Sequence, residues 1–234
     1  MISKIGIASA IAGAAYLAYH CYSPESQFYG RTTTHCYDPK HLALTYDDGP
    51  NDVHTERLLE VLARHQVRAT FFLIGRFVAL RPQIARAIAE AGHLLANHTL
   101  THPNLLLLGR RQLHRQLSDC SKTIADATGT PARYFRPPFG ARRPVVLQVA
   151  RELGLEPVMW SVTCYDWHRR ATADSVFTHA QKGIERSRAR GHIVLLHDGG
   201  HTNLGQDRSP TVKATERLIL RYRKQYSFRR VDEI

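Results

Sequence analysis

At 234 residues, 43% hydrophobic and 22% charged, the chain is long enough for one domain with a sizeable core and too ordinary in composition for a disordered or fibrous protein. Its 32 Lys+Arg against 20 Asp+Glu give a formal net charge of +12, which favours anionic partners such as envelope polymers or phospholipid headgroups. The arginines are scattered and no zinc-finger or RNA-binding signature accompanies them, so nucleic acid is not an expected partner.

At the amino terminus, the run Ile5–Tyr19 carries no charge after Lys4, and the next charged residue is Glu25. A bilayer-spanning helix needs about 20 mostly apolar residues, so this run is borderline. An uncleaved anchor with Lys4 left in the cytoplasm fits best. Ala18-Tyr19-His20 is a poor cleavage site for a signal peptide, and His20 argues against lipid attachment at Cys21. A docked apolar helix is the third alternative. The expected organisation is an apolar membrane anchor or signal segment over 1–22, a linker over 23–40 broken by Ser23, Pro24 and Gly30, and a single domain over 41–234. That domain is expected outside the cytoplasm, membrane-anchored or secreted. Cys21, Cys36, Cys120 and Cys164 form no C-x-x-C pair; Cys120 and Cys164 fit buried free thiols, with disulfides of unassigned pairing as the alternative in an exported protein.

From His41 onward, short apolar runs alternate with helical patterns. Strands are expected at His41–Tyr46, Ala69–Ile74, Leu94–Ala96, Arg133–Phe135, Pro157–Val162, His192–Leu196 and near Ser227–Val231. Helices are expected at Glu56–His65, Pro82–Ala91, Gln112–Ala127, Pro144–Leu153, Asp174–Arg188 and Thr211–Tyr222, with Gly92, Gly129 and Gly154 as stops. The pattern predicts an α/β fold, a distorted (β/α) barrel of about seven β/α units in one domain, with an open doubly wound sheet as the alternative. In either fold, chemistry belongs just past the carboxyl ends of the strands.

Polar residues cluster at those ends. Asp47 and Asp48 follow the first strand, and adjacent carboxylates cannot both be buried and ionised without a nearby cation. His98 and His102 follow the third; two neutral imidazoles can converge on one metal ion, and Pro103 disfavours a helix at His102. Arg136 precedes two prolines, Phe139 and Gly140, which hold it in a set direction. Asp166-Trp167 and Leu195-Leu196-His197-Asp198 end later strands. Each motif alone fits a plain turn, loop or packing role. Their joint occurrence, in order and always at strand ends, is what points to a catalytic centre.

The segments TYDDGP, HTLTH, RPPFG, YDW and LLHD, with ATFFLIG after the first helix, resemble the motifs of the polysaccharide deacetylase family (NodB-homology, carbohydrate esterase family 4). The resemblance covers the chain from about His41 to the C-terminus and implies a distorted (β/α) barrel. It implies that Asp48, His98 and His102 bind one divalent metal, zinc first and cobalt or another transition metal as alternatives. Asp47 would be the general base, Arg136 its partner, and His197 the general acid oriented by Asp166. The backbone near Phe139 would stabilise the oxyanion, while Trp167 and Leu195 would shape a pocket for the acetyl methyl. The implied substrate is an acetylated polysaccharide or oligosaccharide, with N-acetyl groups of envelope or chitin-like glycans ahead of O-acetyl esters of xylan. In this scheme Asp47 is expected to have a low pKa and His197 a raised one. The rivals are a silent glycan-binding relative, a non-haem iron oxygenase and an anion-binding envelope protein.

Overall fold

The computed structural model describes residues 4–187 and 189–234. Arg188, the expected end of one helix, and the first three residues of the N-terminal segment lie outside the described residues. The fold is built on β1 (His41–Gly49), β2 (Thr70–Leu73), β3 (Leu94–Asn97), β4 (Tyr134–Phe135), β5 (Glu156–Pro157), β6 (Val162–Thr163), β7 (His192–His197) and β8 (Ser227–Phe228). All pair in parallel, in the order β5-β4-β3-β2-β1-β7-β6, with β8 beside the start of β1. The expected strand Pro157–Val162 is therefore divided. Its chain leaves β4 after Pro157 and joins β7 at Val162, so residues 156–163 span both edges of the sheet and close it into a distorted barrel.

Period-two alternation sorts the strand residues between two cores. Leu42, Leu44, Tyr46, Phe71, Leu73, Leu95, Val194 and Leu196 face outward beneath the helices. Ala43, Phe72, Ala96, Ile193 and Leu195 face the barrel interior, with Met159 and Trp160. The outer layer comprises α2 (His54–Arg64), α4 (Pro82–Glu90), α5 (Arg110–Thr128), α6 (Pro144–Glu152), α7 (Ala173–Glu185) and α8 (Ser209–Tyr222). A short α3 (Gly75–Leu80) was not expected from the sequence. It is seeded where Gly75 N–H and Arg76 N–H donate to the carbonyls of Thr99 and Leu100 at 3.0 and 2.9 Å.

Residues 23–40 are ordered against the barrel. Thr33 N–H donates to the Pro157 carbonyl at 3.0 Å and its own carbonyl accepts from Met159 N–H at 2.7 Å, so this segment lies on the closing chain. Gly191 N–H donates to the Cys36 carbonyl at 3.2 Å. Ahead of it, α1 (Lys4–Tyr22) ends on a buried guanidinium: Arg142 donates to the carbonyls of Ser23, Ser26 and Gly140 at 2.6, 2.7 and 3.1 Å. Among the described residues, no helix is long and apolar enough to cross a membrane. All four cysteines are free, Cys36, Cys120 and Cys164 buried.

Gly191 sits where β7 starts, with Asp38 and His41 pressed against it: a Cβ there would strike the carbonyl oxygens of both. Replacing it with alanine forces the segment before β1 away from β7. Gly191→Ala should cost about 1–3 kcal/mol, as overpacking does, and lower the melting temperature by about 2–4 °C per kcal/mol. An unchanged melting curve would show that the 36–41 segment yields freely.

Candidate active site and metal centre

The alternation that fills the barrel also delivers its polar mouth. With Phe72 and Leu195 pointing inward, so do Thr45 and Asp47 on β1, His98 just past β3, Arg136 just past β4 and His197 at the end of β7. Register completes the match, since Asp47 lies beside His197 across β1 and β7. Asp48 would by the same rule point outward. A bulge intervenes: pairing with β2 slips between Asp47 and Gly49, and Asp48 takes a left-handed φ of 70°. Both adjacent carboxylates thereby turn toward His98, with oxygens 3.8 and 3.5 Å from its Nε2, and both are buried.

Arg136, fully buried, is their expected cation. Its Nη1 donates to Asp47 Oδ1 and Thr45 Oγ1, each at 2.8 Å, its Nη2 to the Met159 carbonyl at 2.9 Å and its Nε to the Val158 carbonyl at 3.3 Å. The Phe72 ring lies 4.1 Å below the guanidinium carbon. Burial nevertheless outweighs Arg136 and His197 and leaves the Asp47 carboxyl above its ordinary value. The expected low pKa counted a bound metal together with Arg136, and a cation beside Asp48 would act in that lowering direction.

His98 Nδ1 lies 2.8 Å from the Arg136 carbonyl, which can only accept, so the proton sits on Nδ1 and Nε2 is free. His102 lies on a turn, as Pro103 implies: its φ is 59°, and its N–H donates to Thr99 Oγ1 at 3.0 Å. The two Nε2 atoms stand 3.5 and 3.2 Å from Asp48 Oδ1. One donor atom from each of Asp48, His98 and His102 lies within 4.8 Å of the others. Asp48 Oδ1 is buried without a hydrogen-bond partner, and burial pushes its carboxyl up to about 7. Burial likewise holds His98 and His102 neutral, at about 3 and about 2. Two lone-pair imidazoles facing an unsatisfied carboxylate suit a transition-metal dication such as zinc.

Across the mouth, Asp166 Oδ1 accepts from His197 Nδ1 at 2.8 Å, while Oδ2 accepts from His197 N–H and Thr211 Oγ1 at 2.7 and 2.8 Å. Burial disfavours the His197 imidazolium, but Asp166 outweighs it and raises the pKa, as expected. Burial also opposes ionisation of Asp166, and His197 and Arg208 overcome it. Trp167 meets the His197 ring edge-on at 5.2 Å. Phe139, 52% exposed, stands over His102 at 4.7 Å. Leu195 is buried in the inner core with Phe72 and Trp160.

Sequence reading passed over several neighbours. Asp198, the last residue of LLHD, is buried, accepts from Thr55 Oγ1 at 2.5 Å and is pushed up to about 7 by burial. Arg208 donates to the Asp166 and Gly199 carbonyls at 3.0 and 2.6 Å. His201, four positions past His197, stacks on His102. The Gly-Gly-His sequence after LLHD was the available signal for it.

Residues 34–158 match the polysaccharide deacetylase family model. The chain is 40% identical over 186 residues to a chitooligosaccharide deacetylase of Sinorhizobium fredii, covering 75% of this chain and 82% of that protein. It is 33% identical over 202 residues to a peptidoglycan-N-acetylglucosamine deacetylase of Bacillus cereus, covering 83% and 88%. Among solved structures, a carbohydrate esterase family 4 pseudoenzyme from Bacillus anthracis superposes with a TM-score of 0.73 at 30% identity, over 87% of this chain and 66% of that one. With the barrel, the strand-end motifs and these matches in agreement, the chain belongs to the polysaccharide deacetylase family.

Proposed function

We propose that this chain is a metal-dependent hydrolase that removes N-acetyl groups from N-acetylglucosamine-type glycans, of the cell envelope or chitin-like. One observation carries the reading: buried Asp48, His98 and His102 turn three donors toward one point, beside Asp47 and across the mouth from His197. The names of the relatives supply the substrate class, and the catalytic unit is taken as 41–234.

Bound at those donors, a divalent metal, zinc by the donor set, supplies Lewis acidity toward the acetyl carbonyl and the attacking water. Asp47, held by Arg136, takes the proton of that water. Its free Oδ2 is the oxygen that lies toward His98, at 3.8 Å. The Phe139 backbone N–H, at the left-handed φ of 58°, is assigned to the developing oxyanion. His197, its Nδ1 committed to Asp166, gives the Nε2 proton to the departing amine as the C–N bond breaks and acetate leaves. Trp167 and Leu195 are assigned to the pocket of the acetyl methyl. A silent relative would need a lost base, acid or ligand, and all are present.

Acetate release from N-acetylglucosamine oligomers, measured with and without a chelator, tests the reading. His98→Ala should lose both bound zinc and turnover. Asp47→Asn should retain stoichiometric zinc by elemental analysis yet lose about 10²–10⁴-fold in kcat. Wild-type turnover in either variant, or no acetate from any acetylated glycan, would refute the assignment.

The acid should show in the pH profile. His197 acts protonated and its pKa is raised by Asp166, so kcat should fall on the alkaline side as that proton is lost. Asp166→Asn removes the carboxylate that favours imidazolium, lowers the pKa and should move the alkaline limb to lower pH. A limb that stays in place would put the acid elsewhere.

The uncharged Ile5–Tyr19 run and the envelope substrate of one relative support a domain outside the cytoplasm, attached through residues 1–22 or secreted. Protease added to cells with the outer barrier opened should then digest it. Full protection, or recovery of the whole chain in the cytoplasm, would reject this placement.

A further inference from the structure

The two imidazoles at the metal centre are not held alike. His98 has its Nδ1–H committed to the Arg136 carbonyl at 2.8 Å, the kind of outer contact that normally orients a ligating histidine. His102 has none: its Nδ1 is buried without a hydrogen-bond partner. Yet its Nε2 stands 3.2 Å from Asp48 Oδ1, closer than that of His98. What bounds this ring is aromatic. His201 lies flat on it, with centroids 4.6 Å apart and planes 18° from parallel. Phe139 meets it edge-on at 4.7 Å and 75°, and also meets His201 at 5.6 Å.

The loop that carries His201, between β7 and α8, is fastened along its length. Arg76 Nη2 donates to the His201 carbonyl, and Gly200 bridges Asn203. Asp52 N–H donates to the Leu204 carbonyl at 3.0 Å, Asn51 Nδ2 to the Gln206 carbonyl at 2.9 Å, and Arg208 Nε to the Gly199 carbonyl at 2.6 Å. The side chain is 46% exposed, and its Nδ1 stands 3.9 Å from Asp48 Oδ2, beyond hydrogen-bonding reach. Its one close polar neighbour in the centre is thus out of range, and the flat contact with His102 is what its fixed backbone delivers.

We propose that His201 is the positioning residue of His102: its stacked ring stands in for the missing outer hydrogen bond and sets the angle at which Nε2 faces the metal position. The proposal rests on the reading of Asp48, His98 and His102 as metal ligands. Phe139 limits the ring from the edge, the tilted His98 ring lies 5.0 Å away, and His201 holds the face, so removing the face contact frees a rotation that these two neighbours do not stop.

The full-length chain and its His201→Ala, His201→Phe and His102→Ala variants are titrated with zinc against a chromophoric chelator. Their cobalt(II)-loaded forms are compared by visible absorption. His201→Ala should bind zinc about tenfold more weakly, the lower end of the usual effect of losing an orienting neighbour, and shift the cobalt bands. His201→Phe keeps a flat ring without a nitrogen and should restore both. Wild-type affinity in His201→Ala overturns the proposal. So does a Phe variant as weak as the Ala variant, which would make the nitrogen a ligand. A change confined to KM for an acetylated oligosaccharide also overturns it, leaving a sugar contact. Undiminished zinc binding by His102→Ala would instead overturn the ligand reading beneath it.

Discussion

Two neighbouring carboxylates buried at the end of a central strand are the constraint around which this molecule is arranged. Asp47 and Asp48 repel each other and have lost most of their water, a combination that a barrel interior tolerates only with compensating charge. Arg136 compensates on one side. It does so with a planar fork that meets a hydroxyl, a carboxylate and two carbonyls at once while stacking on Phe72, a set of contacts that a lysine ammonium could not reproduce. On the other side compensation is incomplete, and the unsatisfied oxygen of Asp48 faces two neutral imidazoles.

The remaining groups divide the titration chemistry. Asp166 is held ionised by His197 and Arg208 and in turn raises the pKa of His197, although Asp166 and Arg208 are buried. The proposed base, Asp47, and the proposed acid, His197, thus face each other across one mouth. Their environments differ, as sites that run both steps at one pH require. Thr211 and Arg208 reach Asp166 from the start of α8 and the loop before it, so the Asp166–His197 pair is braced by the outer helical layer rather than by the barrel itself.

Much of this was legible in the sequence because barrel strands report their inner and outer faces by alternation. The placement of Asp47, His98, Arg136 and His197 at strand ends follows from the apolar runs ahead of them, and Pro103 correctly implied a turn at His102. Three features left no local trace. The bulge at Asp48 depends on register with β2, which one strand's pattern does not encode. The split of Pro157–Val162 arises because the two ends of a single apolar run pair with different neighbours. The docking of residues 31–36 satisfies backbone groups of other segments, which a run of three threonines does not announce. His201 escaped for a related reason: stacking on His102 is a product of loop anchors scattered from Asn51 to Arg208.

The pairing of β1 with β7 brings residues about 150 positions apart into register, Asp47 beside His197. During synthesis, β1 and β2 emerge long before β7, and β1 must wait with one edge unpaired and a pair of acidic groups at its tip. Such high contact order makes closure of the ring a late and slow event, and the open edge is a surface on which other chains can add. The acidic tip works against that hazard, because two carboxylates at the end of an open strand disfavour stacking of like copies. The carboxylates assigned to the proposed chemistry in the finished barrel therefore also guard the unfinished one.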